Sequence, residues 1–163
     1  MCFKTQQGEI MPSDIHTIPE RRARSHQEID DLVECRTGAL SLYTELASRQ
    51  PFKPEQDTQR LLQTFCERLI DYTASAHFQL YRHIDEDRER RVPIREIADE
   101  VYPNISEITQ KILDFNDKYD CEDHCGDLSR LADDLSSLGE QLADRIELED
   151  RLIEILASPR NDN

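Results

Sequence analysis

Tryptophan is absent from this 163-residue chain, which holds only four glycines and two methionines. Few glycines leave little material for hairpin turns or β-bulges, and no glycine-rich loop of the phosphate-cradling kind occurs. No apolar run is long enough to span a bilayer as a helix, and no secretory leader is found, so no membrane association is expected. Glu-x-x-His and His-x-x-x-His pairs are missing, as are His-Glu-x-x-His and a nucleophile elbow. A di-iron bundle, a zincin and an esterase therefore lack the residues their chemistry needs. No cofactor, no metal and no catalytic residue is expected. Basic charge is also scarce: 20 Lys and Arg stand against 35 Asp and Glu, a net −15. A surface of that sign repels phosphate backbones, so direct nucleic-acid binding is not expected and a basic protein partner is the natural complement.

What is present is helical pattern. Hydrophobic residues at 37% and charged residues at 34% suit helices with broad solvated faces. Ser25 and Glu28 form a capping box that predicts the start of a first helix, with a stripe of Ile29, Leu32, Val33, Arg36, Leu40, Tyr43, Leu46 and Ala47 ending before Pro51. Pro54 suits the first turn of a second helix running through Ile84. The following stretch DEDRERR reads as a solvated turn. Pro93 opens a third helix, which Pro103 is predicted to break before Ile105, Ile108, Ile112, Phe115 and Tyr119 carry the pattern on. From Leu128, the spacing of Leu131, Leu135, Leu138 and Leu142 marks a fourth helix along a bundle seam. The predicted fold is all-α, an antiparallel helical bundle of four long helices, the third broken at Pro103. The bundle domain spans residues 26–157, between a flexible arm at 1–25 and a tail at 158–163, with Met11 as an alternative start.

The run from Thr64 to Ile84 has two usable faces. Leu62, Phe65, Cys66, Leu69, Thr73, Ala76, Leu80 and Ile84 gather on one side of a helical projection, and Asp71 and Phe78 fall nearly opposite. An aromatic anchor beside a carboxylate suits a partner surface; the plainer alternative packs Phe78 under another helix and leaves Asp71 solvated. On the fourth helix the seam brings Glu149 inward, with Arg145 four residues before it. These two form either an exposed intrahelical pair or a buried polar cluster to which Tyr72, His77 and Tyr81 supply hydrogen bonds.

Five cysteines in a chain without a leader predict a reduced, cytoplasmic protein. Cys121-Glu-Asp-His124-Cys125 offers metal ligands or a redox pair, against a polar helix end with incidental thiols. A second distant ligand pair of the structural-zinc kind is lacking.

Phe65-Cys66, Leu69-Ile70-Asp71-Tyr72, Ala76-His77-Phe78, Gly139-Glu140-Gln141-Leu142 and Leu148-Glu149-Asp150-Arg151-Leu152 together resemble the Rsd/AlgQ family of bacterial sigma-factor regulators, over about residues 26–157. The resemblance implies an anti-sigma factor that binds the primary sigma factor of RNA polymerase one to one. It would cover the basic, promoter-reading C-terminal region and block association with core polymerase and promoter DNA. It places Asp71 at the partner surface, with Phe78 and Ser75, and adds Asp30, Asp31 and Leu32 from the first helix; Leu32 stands where relatives can have tryptophan. The alternatives are a regulator of another signalling protein, such as an alarmone or phosphotransfer enzyme, and a metal-binding bundle.

Overall fold

The structure, a computed structural model, describes residues 17–82, 84, 92–120 and 127–157. Among them the backbone forms α1 (Thr17–Ala47), α2 (Gln56–Ala76), a π-helical turn (His77–Tyr81) continuing from α2, α3 (Val92–Tyr119) and α4 (Leu131–Ala157). The described residues contain no strand.

Each helix buries one seam whose members step by threes and fours, a spacing near 3.5 that stays on one side of a 3.6-residue helix. The seam of α3 is Ile94, Ala98, Val101, Ile105, Ile108, Ile112, Phe115 and Tyr119. That of α4 is Leu131, Leu135, Leu138 and Leu142, and that of α1 contains Leu32, Cys35, Ala39 and Leu46. Contacts at matched levels order the helices. Tyr43 on α1 meets Phe65 on α2, and Gly38 faces Arg68, so these two run antiparallel. Phe65 meets Phe115 and Tyr81 meets Tyr102, each edge to face, which sets α2 and its π turn antiparallel to α3. Tyr119 with Asp134 and Glu100 with Arg151 do the same for α3 and α4. Arg36 with Asp150 and Tyr43 with the Leu135 carbonyl close the bundle between α1 and α4.

The predicted break at Pro103 does not occur, and α3 runs through it. Pro103 and Asp99, whose carbonyl loses its helical donor, both lie on the exposed side. Water can satisfy that oxygen, and the buried seam continues in phase on either side. The first helix also starts earlier than predicted, at Thr17. Pro19 is tolerated in its first turn, so Ser25 lies within the helix instead of capping it.

Helix α2 starts at Gln56, slightly beyond the predicted first turn at Pro54. Its seam steps Leu62, Phe65, Leu69, Tyr72 and Ala76, then by fours to Leu80 and Ile84. Every step of four overshoots a whole α-turn by about 40°. The wider π turn, in which the Arg82 N–H donates to the His77 carbonyl, takes up that drift and keeps Leu80 and Ile84 inward.

Cys35, buried in the α1 seam, is disulfide-bonded, which corrects the expectation of a wholly reduced chain. An odd cysteine count leaves room for a bridge as well as for free thiols. Cys66 is free and buried. The stretch DEDRERR and the Cys121–Cys125 segment lie outside the described residues.

Helices α1 and α4 approach closely at Gly139, where the Tyr43 hydroxyl donates 2.8 Å to the Leu135 carbonyl. A Cβ on Gly139 would overlap that hydroxyl and stand 2.9 Å from the Tyr43 Cζ. Gly139→Ala is therefore expected to destabilise the bundle by about 1–3 kcal/mol in urea unfolding, the usual cost of overpacking, despite alanine's better helix propensity. A variant as stable as the parent would mean that the Tyr43 ring steps aside freely.

Candidate functional site

The α4 seam passes from Leu142 through Arg145 and Glu149 to Leu152, so a guanidinium and a carboxylate occupy positions that leucines hold elsewhere. Arg145 is 1% exposed and Glu149 is fully buried. Two charges removed from water require partners for nearly every polar atom, and all the helices supply them. Glu149 Oε2 accepts from the Tyr72 hydroxyl at 2.5 Å, with Arg36 Nη1 at 3.7 Å. Its Oε1 accepts from Arg145 Nε at 2.8 Å and from the Tyr81 hydroxyl at 3.2 Å. Arg145 Nη1 donates to Thr109 Oγ1 at 2.8 Å and Nη2 to the Tyr81 oxygen at 3.2 Å. Its guanidinium also lies over the Tyr72 ring at 5.4 Å and near the Tyr81 ring at 5.9 Å. No buried side-chain nitrogen or oxygen among the described residues lacks a partner.

His77 does not belong to this cluster. It is exposed and stands edge-on to the neighbouring Phe78 ring, because the π turn directs it outward. Two participants escaped the sequence expectation as cluster members. Arg36 already interrupted the apolar stripe of α1, and it donates to Asp150 at 2.8 Å while standing 3.7 Å from Glu149. Thr109 carried no signal, since its hydroxyl also bonds its own helix at the Ile105 carbonyl, as many helical threonines do.

Burial raises the proton affinity of Tyr72 and Tyr81, and the negative charge of Glu149 adds to it. Burial, with Asp120 and Glu67 nearby, likewise pushes the Cys66 thiol up to about 12. Arg145 stays protonated: burial opposes its charge, but Tyr81, Glu149 and Tyr72 outweigh it.

The outward residues lie at the same end of the bundle. Phe78, on the π turn, is 54% exposed, the same as Val92 and more than Leu113 among the exposed large hydrophobics described. Asp71 is half-buried and makes no hydrogen bond or ion pair with another described residue. Asp30 is exposed on α1, and Asp31 is half-buried and accepts from Gln27 at 3.1 Å. With Gly38 level with Arg68 and the helices antiparallel, Asp30 and Asp31 come level with the last turns of α2, and α1 packs on the π turn. Two expected surface residues are elsewhere. Leu32 is fully buried in the α1 seam, and Ser75 is 1% exposed with its hydroxyl donated to Gln79 Oε1. Both fall on the seam side of their helices, where a partner cannot touch them directly.

No helix among the described residues is long and apolar enough to cross a membrane. The described residues also hold no group of three or more His, Cys, Asp or Glu placed to hold a metal ion.

The sequence model of one family, described as "Regulator of RNA polymerase sigma(70) subunit, Rsd/AlgQ", matches residues 11–157. A protein of Yersinia enterocolitica named Regulator of sigma D is 30% identical over 151 residues, covering 88% of this chain and 89% of that protein. Proteins of the same name from Yersinia pseudotuberculosis and Enterobacter sp. strain 638 are 29% and 30% identical, each covering 88% of both chains. No solved structure matches the chain.

Glu149→Ala strands the buried Arg145 charge and is expected to cost about 3–5 kcal/mol of folding stability in urea, the usual penalty for halving a buried pair. A loss well under 1 kcal/mol would mean that water reaches Arg145. Alkaline pH supplies a second test. The unfolded chain releases protons from Cys66 and the tyrosines near their ordinary 9.0 and 10.0, while the folded chain holds the Cys66 proton to about 12. Stability contributed by these groups is full below pH 9.0 and is lost as pH rises toward about 12. The urea midpoint should fall across that window, with Cys66 resisting iodoacetamide while the chain is folded. A flat midpoint would contradict the assignment.

Proposed function

Since the chain belongs to the Rsd/AlgQ family of regulators of the RNA polymerase sigma(70) subunit, we propose that it is an anti-sigma factor of the bacterial cytoplasm. It would bind the primary sigma factor one to one over the promoter-reading C-terminal region. Covering that region keeps sigma from core polymerase and promoter DNA, and leaves core enzyme to other sigma factors. The role is stoichiometric occupation without catalytic turnover.

The observation that carries this reading is the uncommitted Asp71 carboxylate near the exposed Phe78 ring, on a chain of net charge −15. A DNA-reading region is basic, so the acidic surface accelerates encounter and aligns the two proteins, and the apolar ring slows their separation. Asp30 and Asp31, at the same end of α1, extend the acidic rim. Asp71 has no partner among the described residues to give up, so its pairing with an arginine or lysine of sigma loses no bond to them. The buried Arg145–Glu149 cluster would support the surface from beneath through Tyr72, the neighbour of Asp71.

Isothermal titration of the full chain with the C-terminal region of its own primary sigma factor, at low and at raised salt, tests this. Tight binding that weakens with salt is expected, and Asp71→Ala should cost about 1–3 kcal/mol, roughly a five- to 150-fold rise in Kd. Unchanged affinity in a folded Asp71→Ala variant would remove Asp71 from the interface. Absence of binding at micromolar concentrations would defeat the anti-sigma reading itself.

A further inference from the structure

An apolar groove of about 660 Å³ runs between α2 with its π turn and α3. Ile70, Ala74 and Phe78 form one wall, Ile105 and Leu113 belong to the other, and Arg145 closes its floor. Its volume falls within the roughly 300–1,000 Å³ typical of small-molecule sites. Two of the three exposed large hydrophobics among the described residues, Phe78 and Leu113, stand at its edges.

The charge of the lining is unlike that of the rest of the chain. Acidic residues make up 35 of the 163, yet no aspartate or glutamate among the described residues lines the groove. Among the described residues of the lining, the one formally charged side chain is Arg145. A guanidinium carries five N–H donors in a fixed plane. Arg145 gives its Nε–H to Glu149, one Nη1–H to Thr109 and one Nη2–H to Tyr81, which leaves one donor on each terminal nitrogen. The Glu149 carboxylate sits on the Nε side, so a ligand would meet the terminal nitrogens, and because Arg145 is 1% exposed the lining side chains part to admit it.

We propose that this groove binds a medium-chain carboxylate of the fatty-acid type. Its alkyl tail lies along Ile70, Ala74 and Ile105 and covers Phe78 and Leu113. Its carboxylate takes the two remaining N–H donors of Arg145. An apolar trough without carboxylates that ends at a guanidinium complements such an amphiphile in both shape and sign. A neutral alcohol with the same tail gains only the apolar part, and an amine of that tail meets a like charge. The site stands whether or not sigma docks at Phe78, although a ligand beneath that ring would change what sigma meets there.

The test is isothermal titration of the full chain with octanoate and with 1-octanol, repeated on two variants checked for folding by circular dichroism. Ser106→Asp places a carboxylate on the wall at an exposed position, and Ala74→Phe fills the trough. Saturable one-to-one binding of octanoate is expected, with octanol at least about tenfold weaker and either variant weakening octanoate by about tenfold or more. Equal affinities for octanoate and octanol would overturn the proposal, since Arg145 would then play no part. So would octanoate binding that both variants leave unchanged, which would put the ligand elsewhere. The absence of saturable binding would leave the groove to protein side chains and reject the carboxylate.

Discussion

A salt bridge sealed inside a leucine seam governs this bundle. Arg145 and Glu149 sit where the α4 pattern calls for apolar side chains, and charges so placed stay folded only if nearly every polar atom finds a partner. Those partners come from each of the other helices: Arg36 from α1, Tyr72 from α2 with Tyr81 from its π turn, and Thr109 from α3. A pair of this kind adds little net stability over well-packed hydrophobes of the same volume. What it imposes is alignment, because a slip of one turn by any helix uncovers a charge. The apolar seams alone would permit such slips, since a leucine can replace a leucine one turn on.

The π turn relates that interior to the surface. Tyr81 at its end points inward to Glu149 and Arg145, whereas His77 and Phe78 at its start point out. The same five residues therefore complete the buried network and display the aromatic ring beside the acidic rim. Both the proposed partner surface and the groove depend on this local change in helical pitch.

The bundle and its seams were legible in the sequence because α3 and α4 repeat apolar residues every three or four positions with little interruption. The polar pair was legible as well, as two charged residues on a leucine stripe. Of its companions Tyr72 and Tyr81 were expected, but Thr109 lies 36 residues from Arg145, a separation that periodicity along one helix cannot bridge. Pro103 misled because the local rule for proline takes no account of which side of the helix it occupies. Leu32 and Ser75 misled differently: they were expected at the partner surface with the resemblance to the family, while their angular positions put them in the seam. The π turn has no residue signature, and only the repeated steps of four from Tyr72 to Ile84 hint at it.

A π turn is also a matter of chain length. It holds one residue more than the α-turn it replaces, so losing a single residue from His77–Tyr81 would let α2 continue as ordinary helix with Ile84 still facing inward, and only the turn itself would change what it presents. Point substitutions that keep size and polarity leave that geometry alone. Insertions and deletions of one residue here would thus alter in one step what the chain presents around Phe78, while the buried seam on either side keeps its phase.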